Sequence, residues 1–228
     1  MKKTILAATA ATLATLAACT SEGYDTGDGQ LSYLTASLSM LHTGANKLVD
    51  AAELDNGTRL TLARPVAVAW ATRPDTTYRA LLYYDASADG TATCTARTAV
   101  QVPVLRPTPD AETAQMHTDP VGVEGVWMSR KGTLLNLSLL LKAGKTDASD
   151  AVQTLGVVSH GLSTGSDGKR TARIELYHDQ GGVPEYYTVQ RYFSVDTRDL
   201  GNPDIIELSI RTYRGGTQPQ VFTVRRDG

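Results

Sequence analysis

The sequence predicts an all-β protein, a small β-barrel followed by an antiparallel β-sandwich. Three observations carry this. Beyond residue 30, apolar residues recur at every second position and long helical spacing is scarce. Turn-forming Gly, Pro, Asn and Asp punctuate the chain at short intervals. The candidate core residues of the second half are β-branched and aromatic, as half-buried strands require.

The elements follow in order. QLSYLTASLSML puts Leu34, Ala36, Leu38 and Met40 on one face of a first strand. AAELDNGTRLTLA reads as strand, turn, strand, because Asn56-Gly57 tolerates positive φ at both positions. Pro65 is expected to end that strand. VAVAWAT, TYRALLYYD and CTARTAVQVPVL continue as short strands, which gives five or six in residues 31–105, a barrel's worth. Residues 106–120, with three prolines and little periodicity, read as a linker. The sandwich then spans 121–228. Its strands are VGVEGVWMS, TLLNLSLLLK, AVQTLGVVSHG, TARIELYHD, YYTVQRYFSVD, DIIELSIRTY and QVFTVRR. Ala172, Ile174, Leu176 and His178 share one face, as do Ile206, Leu208 and Ile210. Tyr187, Val189, Arg191, Phe193 and Val195 do likewise.

The first 30 residues have a different logic. Lys2 and Lys3 precede an uncharged run at 4–18 that is too short and weakly apolar for a membrane span but suits a secretory signal. Leu16-Ala17-Ala18-Cys19 resembles a bacterial lipobox. That resemblance implies cleavage after Ala18, a diacylglycerol on the Cys19 sulfur and an acyl chain on the new amino group. Several chains make a stable tether where one alone binds only reversibly. Residues 19–30 then have the composition of a flexible hydrated tether. The expected location is the cell envelope, as an outer-membrane lipoprotein on its periplasmic or cell-surface side.

Residues 1–18 hold two lysines and no acid. A chain starting at Cys19 therefore carries 20 basic and 24 acidic residues, a net charge of −4. Such a balance argues against nucleic acid as a partner. With Cys19 acylated, Cys94 is the one remaining cysteine and no intramolecular disulfide can form. Its alternating surroundings, TATCTARTAV, make it a small core residue.

No catalytic constellation emerges. Gly161-Leu162-Ser163-Thr164-Gly165 matches the nucleophile elbow G-x-S-x-G, but a turn and a strand follow it where that motif needs a helix. His42, His117, His160 and His178 lie far apart without metal-ligand spacing, so neither metal nor cofactor is expected. The ten tyrosines stand out against two Trp and two Phe. Tyr83-Tyr84 and Tyr186-Tyr187 each put one ring on either sheet face, which makes these four the candidate ligand-binding residues.

Together the lipobox at Cys19, Leu54-Asp55-Asn56-Gly57 and the strand Tyr78-Arg79-Ala80-Leu81-Leu82-Tyr83-Tyr84 resemble the NigD-like lipoproteins of Bacteroidetes. Asp119-Pro120-Val121 leading to Trp127, Leu134-Leu135-Asn136-Leu137 and Leu176-Tyr177-His178 add to the likeness. The resemblance implies that the N-terminal barrel is OB-like, and it brings an association with immunity to a bacteriocin. The expected function is a non-catalytic, lipid-anchored protein that binds a protein partner. Capture of a surface glycan or peptide is the alternative, and hydrolysis through Ser163 the third reading.

Overall fold

The computed structural model describes residues 34–87, 91–113, 115–145, 151–215 and 218–225. The leader, Cys19 and the tether lie outside the described residues. Strands β1 (Leu34–Thr43), β2 (Val49–Leu54), β3 (Arg59–Val66), β4 (Thr76–Ala86) and β5 (Thr93–Gln101) form a closed barrel in the order β1-β2-β3-β5-β4. Two sheets follow. The first joins β7 (Pro107–Pro109), β10 (Thr154–Thr164), β11 (Arg170–Asp179), β13 (Ile205–Ile210) and β14 (Gln220–Arg225). The second joins β6 (Val104–Leu105), β8 (Gly122–Met128), β9 (Leu134–Ala143) and β12 (Tyr187–Asp196).

The barrel interior holds Leu41, Val49, Leu60, Leu62, Leu82, Tyr84 and Cys94. Burial pushes the Cys94 thiol up, since a thiolate would lose its hydration there. In β1 the face expected inside is displaced by one residue. Ser39, Leu41 and Thr43 are the fully buried positions, and Leu38 points outward to pack with Leu81 and Val102. Both faces of this strand find cover, so period two alone could not choose between them.

The β2–β3 turn also differs from expectation. Gly57 alone is left-handed (φ 85°), and its N–H reaches Leu54 O at 2.8 Å while Asn56 Oδ1 accepts the Thr58 N–H at 2.9 Å. Asn56 needs no positive φ because the loop has three residues rather than two. Pro65 does not end β3, which runs on to Val66. VAVAWAT is not a separate strand: Val66 ends β3, and residues 67–72 form a loop. It lays Val68 and Trp70 on the barrel core, with Trp70 edge-on to Tyr78 at 5.8 Å.

In the sandwich, Leu135, Leu137, Leu139, Val157, Ile174, Val195, Ile206, Leu208 and Ile210 form one core. The sheets are mixed rather than antiparallel, because β11 and β13 run parallel. The chain crosses to the opposite sheet as β12 between them, so it returns in the direction of β11. Residues 106–120 are likewise not a linker. β7 pairs parallel with Val157–Ser159, and Thr118 bridges to His178. Prolines suit such edge positions, where no N–H is demanded on the open side.

A polar clasp joins barrel and sandwich. Arg79 of β4, with 1% of its side chain exposed, donates to both oxygens of Asp55 at 2.6 Å. It also reaches Asn136 Oδ1 at 2.9 Å and Ser194 Oγ at 3.0 Å. Asn136 Nδ2 returns to Asp55 Oδ2 at 2.7 Å, and Ser194 Oγ donates to Asn136 Oδ1 at 2.8 Å. Around it, Lys131 pairs with Glu53, and Arg130 N–H meets Asp55 O at 2.9 Å.

Candidate functional site

A cleft of about 790 Å³ lies between barrel and sandwich. Tyr83 and Val100 line it from the barrel, Gln190, Arg191 and Tyr192 from β12, and Leu155 from β10. Val100 is 52% exposed, and Arg191 is exposed as well. Gln190 Nε2 bonds Ser138 Oγ at 2.8 Å and Tyr192 Oη at 3.2 Å, which orients the Tyr192 ring. Apolar walls with a few placed polar groups are the usual make-up of a ligand-recognition surface.

Of the four tyrosines singled out from sequence, only Tyr83 lies in this cleft. Tyr84 is buried in the barrel core at 7% exposure and cannot meet a ligand, a correction that follows from strand alternation turning it inward. Tyr186 and Tyr187 are exposed at 77% and 50%, at the start of β12, and line none of the cleft. Tyr192, Gln190 and Arg191 escaped sequence reasoning. One signal for Gln190 and Tyr192 exists: the outer face of β12 reads Thr188, Gln190, Tyr192, Ser194, without a charge, unlike a face meant for open water.

Ser163, His178 and His160 have structural partners. Ser163 lies in β10 opposite Thr171, with its Oγ 3.4 Å from Thr171 O, so the G-x-S-x-G stretch runs along a strand into a hairpin. His178 is fully buried. Its Nδ1 stands 2.8 Å from Asp119 O, which can only accept, so Nε2 takes the Gln153 amide N–H at 3.0 Å. Gln153 also reaches Gln180 Oε1 at 2.8 Å. His160 sits between Glu175 (3.2 Å) and Asp110 (3.5 Å) on the surface.

A smaller pocket of about 350 Å³ lies where Trp127 and Tyr192 meet Ser37, Asp55 and Asn56. Trp127 is 36% exposed there.

No protein-family model matches the chain, and no curated protein matches it either. Solved structures do. A NigD-like immunity protein from Bacteroides caccae is 23% identical with a TM-score of 0.66, over 85% of this chain and 98% of that one. A protein of unknown function from Bacteroides vulgatus follows at 17% and 0.60, over 85% and 92%. A candidate lipoprotein from Bacteroides fragilis stands at 12% and 0.61, over 85% and 98%. The resemblance drawn from the sequence is therefore met in three dimensions, and this chain has the barrel-and-sandwich fold of the NigD-like immunity protein.

Proposed function

We propose that this chain is a lipid-anchored protein of the cell envelope that works by binding a protein partner in the cleft, as an immunity-type protein does. The observation that carries the reading is the cleft itself, with Tyr83, Val100, Arg191 and Tyr192 presented on walls locked together by the Arg79–Asp55 clasp. Half-buried aromatic and exposed Arg side chains on a concave surface are what protein interfaces favour. The buried polar clusters speak for binding over catalysis, because the side chains of Arg79, Asn136, Ser194 and His178 already bond within the fold. Fold alone does not fix function, but the immunity-protein description of the Bacteroides caccae neighbour points the same way.

Glycan capture is the second reading, and Trp127 favours it. An exposed indole beside Asn56 and Tyr192 offers a stacking face with polar groups at its rim.

A photo-crosslinking residue placed in living cells at Val100, or at Val221 on β14, tests the first reading. Both positions are more than half exposed. A discrete protein adduct at Val100 and none at Val221 is expected. Equal labelling at both, or none at Val100, rejects it, and a glycan adduct through Trp127 would move the site to the smaller pocket.

A further inference from the structure

We infer that the cleft receives its partner as an added β-strand, an extended segment that pairs with the free edge of β12 and carries an acidic residue opposite Arg191. This deepens the binding reading above and rests on it.

The edge can be read from the hydrogen bonds. β12 is paired along its whole length with β9, from Tyr187 opposite Ala143 to Asp196 opposite Leu134, with no break in register. On its other side the neighbour is β6, only two residues long, which meets Ser194 and Val195. Ser194 N–H donates to Pro103 O at 3.0 Å, and one residue earlier Val102 N–H turns to Arg79 O in the barrel at 3.0 Å. The chain leaves the β12 edge at that point. Among the described residues, nothing pairs with β12 on this side before Ser194.

Strand alternation then assigns the free groups. Since Ser194 N–H points away from β9, so do the N–H and C=O of Tyr192, Gln190 and Thr188. The cleft is lined by Gln190, Arg191, Tyr192 and Phe193, four consecutive residues. A cavity resting on a sheet face meets alternate residues, so a consecutive run means that it sees the strand edge-on. No proline guards these positions, whereas Pro107 and Pro109 stand in β7 at the edge of the other sheet.

The walls set the chemistry of the occupant. One set of its alternating side chains faces Tyr83, Val100 and Tyr192, and the other faces Leu155. Apolar residues fit both. Among the described residues, Arg191 is the only charged one lining the cleft, and no carboxylate joins it there. Main-chain pairing supplies affinity and the side-chain pockets supply selectivity, as in other strand-addition complexes.

The test uses the purified protein and a fluorescein-labelled peptide in which valine and threonine alternate around one glutamate. A second peptide has lysine in place of the glutamate. Saturable binding is expected, roughly tenfold tighter for the glutamate peptide, with the preference removed in Arg191→Ala. Gln190→Pro deletes an outward N–H while sparing the β9 ladder, and should weaken binding roughly tenfold. Gln190→Ala loses the same side chain but keeps the N–H, so it is the reference for the proline variant, which should bind roughly tenfold more weakly than Gln190→Ala does. In the unaltered protein, amide exchange at Gln190 and Tyr192 should slow with peptide while that at Val221 stays constant, a readout independent of whether the proline variant folds. No saturable binding, or unchanged exchange at Gln190 and Tyr192, overturns strand addition. A Val100 adduct in cells together with that negative result leaves the cleft as a binding site and rejects only this mode.

Discussion

Arg79 and Asp55 meet in two parallel hydrogen bonds of 2.6 Å, one from each terminal nitrogen, across the junction of barrel and sandwich. Arg79 arrives on a strand of the barrel wall and Asp55 on the turn after β2, and Asn136 and Ser194 of the sandwich close the network. Every member bonds another, which is the condition under which a buried polar network holds a structure rather than weakening it. Both halves of the protein therefore depend on one guanidinium.

Removing that guanidinium should be costly. Arg79→Ala leaves Asp55 and Asn136 short of donors in a largely buried place, a loss of about 3 kcal/mol. Replacing both partners, Arg79→Met with Asp55→Leu, should recover part of it, because no uncompensated charge is left behind. Urea unfolding of the single and double variants measures this. Equal loss in all of them would mean that packing, not the ion pair, holds the junction.

The tyrosines separate by position. Tyr83→Ala and Tyr192→Ala should weaken partner crosslinking at Val100 with little change in melting temperature, since both rings line the cleft and are only partly buried. Tyr186→Ala should change neither. Tyr84→Ala should instead destabilise the barrel by about 3–4 kcal/mol, as truncating a core aromatic does. Parallel melting curves and crosslink yields would decide, and loss of crosslinking in Tyr186→Ala would move the site to the start of β12.

How much of this was legible in the sequence follows from what the periodicity measures. β11 and β13 were placed with the right inward residues because each has one wet or crowded face and one core face, so Ile174 and Leu208 repeat at two. β1 misled because Leu38 and Leu41 are both buried, one against the sandwich and one inside the barrel. Pro107 and Pro109 hid β7, since a strand of three residues at an edge leaves no periodic trace. Asp55, Arg79 and Asn136 were noticed as parts of a resemblance, but nothing local says that residues 24, 57 and 81 positions apart bond to one another. The cleft is a product of that long-range closure, which is why only Tyr83 among its residues is legible from sequence as a binding candidate.

Acid should loosen the protein through two carboxylates. Lys131 holds the Glu53 carboxyl below its ordinary value, and Arg198 does the same for Asp196. In each the folded state prefers the ionised form, so the contribution to stability is present above the unfolded values, 4.5 and 3.8, and is lost as pH falls through the lower folded values. Asp196→Asn should flatten the decline of melting temperature below pH 4 and leave the curve near neutrality parallel to that of the unaltered protein. An unchanged acid limb would mean that Arg198, 71% exposed, contributes nothing there.

Cys94 and Cys19 should behave oppositely. Cys94 is 2% exposed in the barrel core with its thiol pushed up by burial, so a maleimide should label it only after unfolding. Cys19, if it carries the lipid that the Leu16-Ala17-Ala18-Cys19 stretch implies, should be blocked to the same reagent even in denaturant. Cys19→Ala should then move the protein from the membrane fraction to the soluble one, because the acyl chains supply the tether. Cys19 precedes the first described strand in sequence, so the purified variant is expected to keep the cleft while losing activity in cells. A variant that stays with the membrane would place the attachment elsewhere in the chain.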